Sequence, residues 1–400
     1  MTDAPISLRK IAVPAYGPSL LYGISNGATL PVVALSAREL GASLAVSGLI
    51  AALIGVGSLM SNIPAALLTD RYGERRAMAG AAVLSVLALL LAIAAPHVWV
   101  LGISMLMVGM ASSVFVLARQ SYLVEVVPLY MRARALSTLG GTTRIGVFIG
   151  PFAGAGMIHF MGITGGYWVA AAAMVGAALI AVFAPDLESQ HGAAGAGPAP
   201  AIGSILRSHS RTFATLGVGI LLVSALRASR QVVIPLWAEQ LGIDPTTTSL
   251  IYGLVAAIDM SVFYPAGKVM DQHGRVWVAL PSTLLMGVGL MGIPLTAGTV
   301  AFVCFSLILG FGNGIGSGIV MTLGADSSPP AGRTQFLGIW RLMSDIGNSG
   351  GPVLLSAITG LASLSAAVFS IGVLGWVAAA VFWRWLPRSV GGQPERRTSG

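Results

Sequence analysis

The sequence predicts an all-α protein that crosses a membrane many times. Of its 400 residues, 55% are hydrophobic and only 9% are charged, whereas soluble proteins carry a charge on about 25% of their residues. A spanning helix takes ~20 apolar residues, so about a dozen helices with short loops would use nearly the whole chain. The composition therefore excludes an ordinary soluble protein and leaves no room for a separate soluble domain.

Twelve apolar runs, bounded by charges, prolines and glycines, predict twelve transmembrane helices in two groups of six. We expect the first group to begin near residues 12, 45, 77, 99, 136 and 166, and the second near 213, 246, 276, 298, 334 and 364. The stretch between the groups is rich in Ala, Gly and Pro, which is typical of a flexible polar linker. The predicted division is a six-helix half at 1–184, a cytoplasmic linker at 185–212, a second six-helix half at 213–388 and a cytoplasmic tail at 389–400.

The distribution of basic residues predicts the orientation. Sixteen Lys and Arg residues, among them Arg71, Arg132, Arg275 and Arg333, fall on one side of the predicted spans, and only Arg38 falls on the other. Since retained cations mark cytoplasmic loops, we expect a multi-pass protein of the plasma (cell inner) membrane with both termini in the cytoplasm. Topology thus accounts for the net charge of +8, and no basic patch with stacking aromatic residues is left to bind nucleic acid.

The two predicted halves repeat each other at a separation of 201 residues. Two six-helix halves in the same orientation imply a pseudo-two-fold axis along the membrane normal and a central cavity between them. Nine identical residue pairs carry the repeat: Asp70 and Asp271, Gly73 and Gly274, Gly109 and Gly310, Pro128 and Pro329, Arg132 and Arg333, Leu136 and Leu337, Gly146 and Gly347, Gly150 and Gly351, and Pro151 and Pro352.

A charged loop follows the second predicted span and recurs in the second half. It reads A-L-L-T-D-R-Y-G-E-R-R at 66–76 and G-K-V-M-D-Q-H-G-R at 267–275. A carboxylate beside several guanidinium groups can form charge-assisted bonds that exist in only one conformation. We therefore expect a gating loop, with a plain short loop as the alternative. Its residues are Asp70, Arg71, Gly73, Arg75, Arg76, Asp271, Gly274 and Arg275.

The fifth predicted span carries glycines at a spacing of four, followed by a proline. Such glycines let helix backbones approach each other, and proline bends a helix. They are hinge candidates, with simple packing as the alternative. The residues are Gly146, Gly150, Pro151 and Gly154, with a partial copy at Gly347, Gly351 and Pro352.

These motifs resemble signatures of the major facilitator superfamily. The loop is similar to its G-x-x-x-D-R-x-G-R-R pattern, with Ala66 in place of the first Gly, and the fifth span to G-x-x-x-G-P-x-x-G-G, with Ala155 in place of the last Gly. The resemblance covers essentially the whole chain. Within the superfamily, the chain resembles the twelve-span drug/proton antiporter-like branch. It implies alternating access by two six-helix halves in the bilayer, a small-molecule substrate, and a proton gradient rather than a bound cofactor.

Other classes of protein lack support in the sequence. The five His residues form no metal-ligand spacing, and the lone Cys304 rules out a cysteine-based metal site. No nucleophile, base and orienting group can be assembled, so we expect no enzyme. The G-x-x-x-x-G-K-[ST] pattern of nucleotide-binding pumps is also absent from the sequence. We expect a monomer without metal or cofactor.

Charged residues within the predicted spans are candidate functional residues. A charge at the bilayer centre costs at least ~2.5 to 3.5 kcal/mol, so each must be paired or face a hydrated cavity. Asp259 can meet Arg227 or Arg230, and Asp345 can meet Arg341 one turn away. Asp259 and Asp345 are candidate proton carriers, or members of static ion pairs. Arg144 can be met by Asp345, by backbone carbonyl groups, or by an anionic group of the substrate.

The resemblance implies a substrate cavity lined by both halves, because Asn26, Phe115, Asn313 and Trp340 fall on spans that line the cavity in this superfamily. Packing against neighbouring helices is an alternative role for these four residues. The predicted cavity residues are Asn26, Phe115, Arg144, Arg227, Arg230, Asn313, Trp340 and Arg341. Arg119, with Gln120 and Glu125, belongs either to a gate or to an interfacial cluster. We expect a secondary active transporter for proton-coupled efflux of a small amphipathic organic compound. The alternative is uptake or exchange of an organic anion by the same fold.

Overall fold

The computed structural model describes residues 8–127, 132–183, 202–329 and 332–386, which are almost entirely helical. The first half forms six long helices, each beginning within about four residues of a predicted start. They are α1 (Leu8–Glu39), α2 (Leu44–Tyr72), α3 (Glu74–Ile93), α4 (Val98–Val126), α5 (Arg132–Met161) and α6 (Gly165–Phe183). The six predicted spans of this half are confirmed.

The second half follows the same plan with more interruptions. Two short helices and a π-helical turn, Phe213–Gly217, precede its first long helix. The helices are α7 (Ile202–Ser208), α8 (Ser210–Thr212), α9 (Val218–Gln240), α10 (Pro245–His273), α11 (Val276–Gly292), α12 (Thr299–Gly316), α13 (Ile319–Ser327), α14 (Arg333–Leu361) and α15 (Leu364–Trp385).

Part of the predicted flexible linker, from residue 202 onward, is helical in the structure. Residues 184–201 lie outside the described residues, as does the predicted tail at 389–400. From residue 202 onward the chain is helical, and Ile205 on α7 is buried. The apolar residues of I-G-S-I-L recur at helical spacing, which gives this short helix an apolar face to bury.

Eleven helical stretches of the described residues are long and apolar enough to cross a membrane. The predicted eleventh span, α14, is not among them because it is more polar. It has 29 residues, or about 43 Å at 1.5 Å per residue, which exceeds the ~30 Å hydrocarbon core of a bilayer. The described residues therefore supply twelve helical stretches of spanning length.

The described residues fall into two compact units. The first contains 8–127, 132–183, 231–256 and 352–367; the second contains 202–230, 257–329, 332–351 and 368–386. The division passes through α9, α10 and α14, each of which contributes residues to both units. Buried residues such as Val32, Leu101 and Tyr167 form the core of the first unit. Phe336 and Phe382 lie in the core of the second.

The repeat found in the sequence is also a repeat of helix crossings. On α5, a Cβ added at Gly146 would clash with the carbonyl oxygen of Leu20 on α1. On α14, a Cβ added at Gly347 would clash with the carbonyl oxygen of Leu221 on α9. Leu221 follows Leu20 by the same 201 residues that separate the two glycines. The two halves therefore reproduce the same backbone contact.

The second glycine of each motif extends the same crossing. A Cβ at Gly150 would clash with the carbonyl oxygen of Ile24, and one at Gly351 with that of Ala225, again a repeat-equivalent pair. Gly154 is different, because its nearest neighbour, Ala28, would lie 3.6 Å from an added Cβ. Close packing thus depends on the first two glycines, and the third contributes less.

Candidate functional site

The second unit holds a buried ionic cluster, the Asp259 cluster, formed by Arg230, Asp259 and Asn313. The Asn313 side-chain amide donates a hydrogen bond to Oδ2 of Asp259. Nη2 of Arg230 lies 3.7 Å from the same oxygen, and the side chains of Arg230 and Asp259 are only 11% and 14% exposed. One carboxylate oxygen therefore faces both a cation and a neutral donor.

Glycines of α12 make room for this cluster. A Cβ at Gly314 would lie 2.6 Å from the carbonyl oxygen of Asp259, so α10 and α12 touch through their backbones at this level. The side chain of Asn313, the preceding residue, can therefore reach Asp259. The glycines of α12 therefore allow tight packing against α10 at this level.

Arg227 lies one turn before Arg230 on α9 and contacts α12 at a different level. Its Nη2 donates to the backbone carbonyl oxygen of Gly316, and a Cβ at Gly316 would lie 3.0 Å from that nitrogen. Ser282 of α11 donates to the Gly312 carbonyl oxygen over 2.7 Å. The backbone of α12 thus accepts hydrogen bonds from two neighbouring helices.

Asp345 and Arg341 occupy successive turns of α14 and form the predicted local pair. Arg341 Nε lies 3.9 Å from Asp345 Oδ2, at the limit of an ion pair, and the two side chains are 53% and 25% exposed. One residue before Asp345, the Ser344 hydroxyl lies 2.8 Å from the Ser224 hydroxyl. This pair is looser and more exposed than the Asp259 cluster.

The first unit contains a second buried cation at the crossing of α1, α4 and α5. The guanidinium of Arg119, a residue that is 9% exposed, lies over the ring of Tyr22, 5.0 Å from its centroid. Its Nη1 donates to Thr143 Oγ1 over 3.0 Å. The Tyr22 ring also stacks on Phe115, with centroids 5.3 Å apart, and its hydroxyl contacts Ser112. We call these five residues the Arg119 site.

The other predicted cavity residues are placed as follows. Asn26 on α1 and Arg144 on α5 are half-buried in the first unit. Trp340 on α14 is buried, stacks on Phe336 and donates from Nε1 to the Val320 carbonyl oxygen over 2.8 Å. Trp340 therefore lies in the core of the second unit, and Phe115 is also fully buried, so packing is the role visible for both rings.

The two predicted gating loops each contain a glycine with positive φ. Gly73 and Gly274 have φ of 79° and 99°, in the left-handed region where a side chain would be strained. In the first copy Arg75 donates to the Val182 carbonyl oxygen, and Arg71 lies over the Tyr72 ring, 5.6 Å from its centroid. The Asp70 side chain lies outside the described residues, and Arg76 is exposed.

In the second predicted gating loop, Arg275 contacts three groups. Arg275 Nε donates to Asp326 Oδ2 over 2.9 Å, and its Nη1 donates to the Met270 carbonyl oxygen over 3.0 Å. Asp271 Oδ1 lies 3.6 Å from Nη1. The sequence predicted the pairing of Arg275 with an acid, but Asp326, the closer partner, was missed.

Two further residues of interest were missed by sequence reasoning. Tyr22 was not a candidate, although an aromatic ring at membrane depth opposite a buried Arg is a recognisable partner. Glu239 was not one either; it forms an ion pair with Arg38 in the first unit, with Nε 2.8 Å from Oε1. The repeat could have indicated this pair, because Glu239 follows Arg38 by the 201 residues that separate equivalent positions. The Glu125 side chain, grouped with Arg119 in the sequence, lies outside the described residues.

Comparisons with known sequences identify the family. The sequence model of the Major Facilitator Superfamily matches residues 19–229 and 216–399. Multidrug resistance protein MdtG of Enterobacter lignolyticus (strain SCF1) is 28% identical over 156 residues, which cover 38% of this chain and only 37% of that relative. The multi-drug resistance efflux pump PmrA homolog of Lactococcus lactis subsp. lactis (strain IL1403) is 23% identical over 331 residues, covering 80% of this chain and 79% of the relative.

Solved structures share the architecture at low sequence identity. A bacterial homolog of the human lysosomal transporter Spinster superposes with a TM-score of 0.80 at 13% identity, covering 95% of this chain and 97% of that one. The xylose transporter XylE from E. coli gives a TM-score of 0.74 at 15% identity, covering 96% and 99%. At these identities the likeness shows the fold. The chain belongs to the Major Facilitator Superfamily and is a multi-pass membrane transporter, not an enzyme.

Proposed function

We propose that this transporter exports a small amphipathic organic compound in exchange for protons, by alternating access. The observation that carries the proposal is the Asp259 cluster, a carboxylate held between Arg230 at 3.7 Å and the Asn313 amide. Relatives named as multidrug resistance proteins support export, and so does the resemblance of the α5 glycine motif to antiporter signatures.

The cluster can couple a proton to a conformational change because its contacts depend on charge. While Asp259 is ionised, it attracts Arg230 and accepts from Asn313. Protonation removes the negative charge and leaves Arg230 without that attraction in a poorly hydrated environment, where an uncompensated cation is costly. Loading and releasing one proton therefore favours different arrangements of α9, α10 and α12. Asp345 is a second candidate proton carrier, more exposed and one turn from Arg341.

The proposed orientation follows the distribution of cations. We place the gating loops with Arg71 and Arg275 on the cytoplasmic side of the plasma membrane, together with both termini, and Arg38 on the outer side. In this orientation the chain works as a monomer, and the proton gradient across the membrane supplies the energy.

A second candidate function is uptake or exchange of an organic anion. Away from their ends, the long described helices carry more Arg than Asp: Arg119, Arg144, Arg227, Arg230 and Arg341, against Asp259 and Asp345. A net positive lining attracts anionic substrates. This function differs from the first in the direction of transport or in its coupling, because uptake or anion exchange replaces export driven by protons.

The test is transport by purified protein in proteoliposomes under an imposed pH gradient. Lipophilic cations, neutral drugs and organic anions are added in turn while internal pH is recorded. Proton movement that depends on a cationic, neutral or anionic amphipathic compound supports antiport. Silence across the panel while a compound still binds contradicts proton-coupled export.

The role of Asp259 is tested with Asp259→Asn, which keeps the shape of the side chain but cannot carry a proton. We expect it to lose gradient-driven transport while retaining exchange of substrate for substrate. Asp345→Asn is assayed in parallel. The matched control is Asp244→Asn, the same chemical change in an exposed loop. If Asp259→Asn and Asp345→Asn both pump like the control, neither carboxylate is the proton carrier.

A further inference from the structure

We propose that the Arg119 site binds the acidic group of the transported compound, so that the substrate is an amphipathic organic acid with a carboxylate or sulfonate on an apolar or aromatic body. This inference rests on the proposed transport function and specifies the substrate of that transporter. It is carried by the combination of burial, charge and partners at Arg119.

The first step concerns the charge. A guanidinium has five N–H donors and is always protonated in proteins. In the described part of the chain, the Arg119 guanidinium contacts the Tyr22 ring and the Thr143 hydroxyl, and no acidic side chain. Nε of Arg119 is buried and has no hydrogen-bond partner among the described residues. The cation is therefore incompletely satisfied where water is scarce.

The contrast with other arginines makes this arrangement unusual. Arg230 faces Asp259 at 3.7 Å, Arg275 faces Asp326 at 2.9 Å and Arg38 faces Glu239 at 2.8 Å. Arg119, the most buried of the four, meets neutral groups instead. A buried charge is stabilised by a counter-charge. The described protein groups around Arg119 supply no negative charge, so an oxyanion from solution would provide it.

The repeat argues that Arg119 is not required by the shared fold. Its equivalent position in the second half is Val320, 201 residues later. The fold thus accommodates an apolar side chain at this place, and the α1–α5 crossing beside it has the same backbone contacts as its copy between α9 and α14. A cation at this position serves a function that the second half lacks.

The surroundings of Arg119 define the rest of the ligand. The hydroxyl of Thr143 donates its own hydrogen to the Leu139 carbonyl oxygen over 3.0 Å, so it accepts from Arg119 and orients the guanidinium. Tyr22 is half-buried and forms an aromatic pair with Phe115. An aromatic wall beside a cation suits a compound with an apolar body and one negative charge.

The experiment compares matched ligands that differ only in charge. Binding to the purified protein in nanodiscs is measured by isothermal titration calorimetry with 2-naphthoate, 2-naphthamide and 2-naphthylmethylammonium, and again with decanoate, decanamide and decylammonium. The site predicts that the acid of each set binds more tightly than the amide or the ammonium compound. Loss of one charged hydrogen-bonded contact weakens binding by roughly tenfold to a hundredfold.

Substitutions then assign the preference to Arg119. We expect Arg119→Gln to remove the preference for the acids, and Arg119→Lys to retain part of it, since the charge stays but the planar fork is lost. Thr143→Val, which keeps the shape of Thr143 without its hydroxyl, should weaken acid binding several-fold and leave the amides unchanged. The control is Arg207→Gln, which removes one positive charge from an exposed position on α7.

The outcomes separate this inference from the proposed function. If the acids bind no better than the amides, or if Arg119→Gln keeps the preference, the site is not an anion site. A variant that unfolds more easily but binds the acids as before shows that Arg119 stabilises the helix crossing only, which also overturns the proposal. Proton-coupled export of cations that is unaffected by Arg119→Gln would leave the proposed transport intact and refute the acid-binding site alone.

Discussion

Arg38 and Glu239 occupy equivalent positions of the two repeats, 201 residues apart, and form an ion pair with each other, with Nε 2.8 Å and 3.0 Å from the two carboxylate oxygens. Their helix ends belong to the same compact unit. Close packing accompanies the pair in that unit, since a Cβ at Gly48 on α2 would lie 2.5 Å from Ser356 Oγ on α14. The two sequence halves are thus joined at this end of their helices.

Breaking the Arg38–Glu239 pair should favour opening of this junction. The side chains are about one third exposed, and such pairs contribute about 0.2 to 1 kcal/mol, so Glu239→Gln should raise the open population by at most about fivefold. The measurement is the rate at which a maleimide labels Ser356→Cys in a Cys304→Ser background. Glu39→Gln, the same change at an exposed acid beside Arg38, is the control; equal labelling in both variants would contradict the prediction.

The backbone contact between α1 and α5 should make Gly146 intolerant of a side chain. Gly146→Ala forces a Cβ into the Leu20 carbonyl oxygen, and overpacking of this kind costs about 1 to 3 kcal/mol. Gly156→Ala, on the same helix with nothing within 4 Å of the added Cβ, should be neutral or slightly stabilising. The measurement is the midpoint of thermal unfolding of each purified variant. Equal midpoints for Gly146→Ala and Gly156→Ala would refute the tight crossing.

The second half offers the same comparison on α14. Gly347→Ala meets the Leu221 carbonyl oxygen, whereas Gly350→Ala meets nothing within 4 Å. If the repeat of crossings is real, the loss of stability at Gly347 should resemble that at Gly146. A large loss at one glycine and none at its equivalent would show that the halves pack differently.

Asp244 should make the stability of the protein depend on acid pH. It precedes α10 and accepts from the Thr247 backbone N–H over 3.0 Å, and hydrogen bonds from Thr247 hold the pKa of Asp244 below its usual range. A lowered pKa in the folded state stabilises at neutral pH, and the contribution disappears as pH falls through that pKa. Asp244→Ala should therefore cost about 1 kcal/mol near pH 7 and little in strong acid.

The control for Asp244 is Asp244→Asn, which can still accept at the helix start but does not titrate. Thermal midpoints of the three proteins are compared from neutral to acid pH. We expect the Ala variant to approach wild type as the pH falls. A gap that stays constant with pH would show that the ionised carboxylate is not the stabilising group.

The contact between Arg275 and Asp326 should matter for transport. Asp326→Arg places two cations together, whereas the exchange Arg275→Asp with Asp326→Arg restores an opposite-charge pair at the same place. We expect the single variant to lose most transport and the double variant to recover a substantial part, measured as initial rates in proteoliposomes. Asp271→Asn should have little effect, because Asp271 is 77% exposed and lies 3.6 Å from Arg275. A double variant no better than the single one would refute the pairing.

Much of the fold was predictable because the membrane restricts the possible sequences. Charges, prolines and glycines bound each apolar run, so helix starts such as Val276 and Leu364 coincide with predicted positions. The gating-loop glycines were recognisable because a turn with positive φ accepts few other residues. The short helix α7 was missed, since its residues lie in a composition typical of linkers.

Partners across helices were harder to predict than the helices themselves. The sequence placed Asp259 near Arg227 or Arg230 but did not identify Asn313 as its donor, because that contact depends on the level at which α10 and α12 touch. Asp326 was overlooked for the same reason, since a contact between separate helices leaves no local pattern. Only the pair at i and i+4, Arg341 and Asp345, followed from helix geometry alone.

The shared glycine crossings suggest what duplication preserved and what later diverged. Position 227 is Arg where its equivalent, 26, is Asn, and position 259 is Asp where its equivalent, 58, is Ser; position 119 is Arg where its equivalent, 320, is Val. A chimera built from two first halves would keep the Gly146 and Gly150 contacts twice and gain a second Arg119, yet it would contain no counterpart of Asp259. Such a chimera should assemble in a membrane and bind ligand, but it should not couple that binding to proton-driven transport.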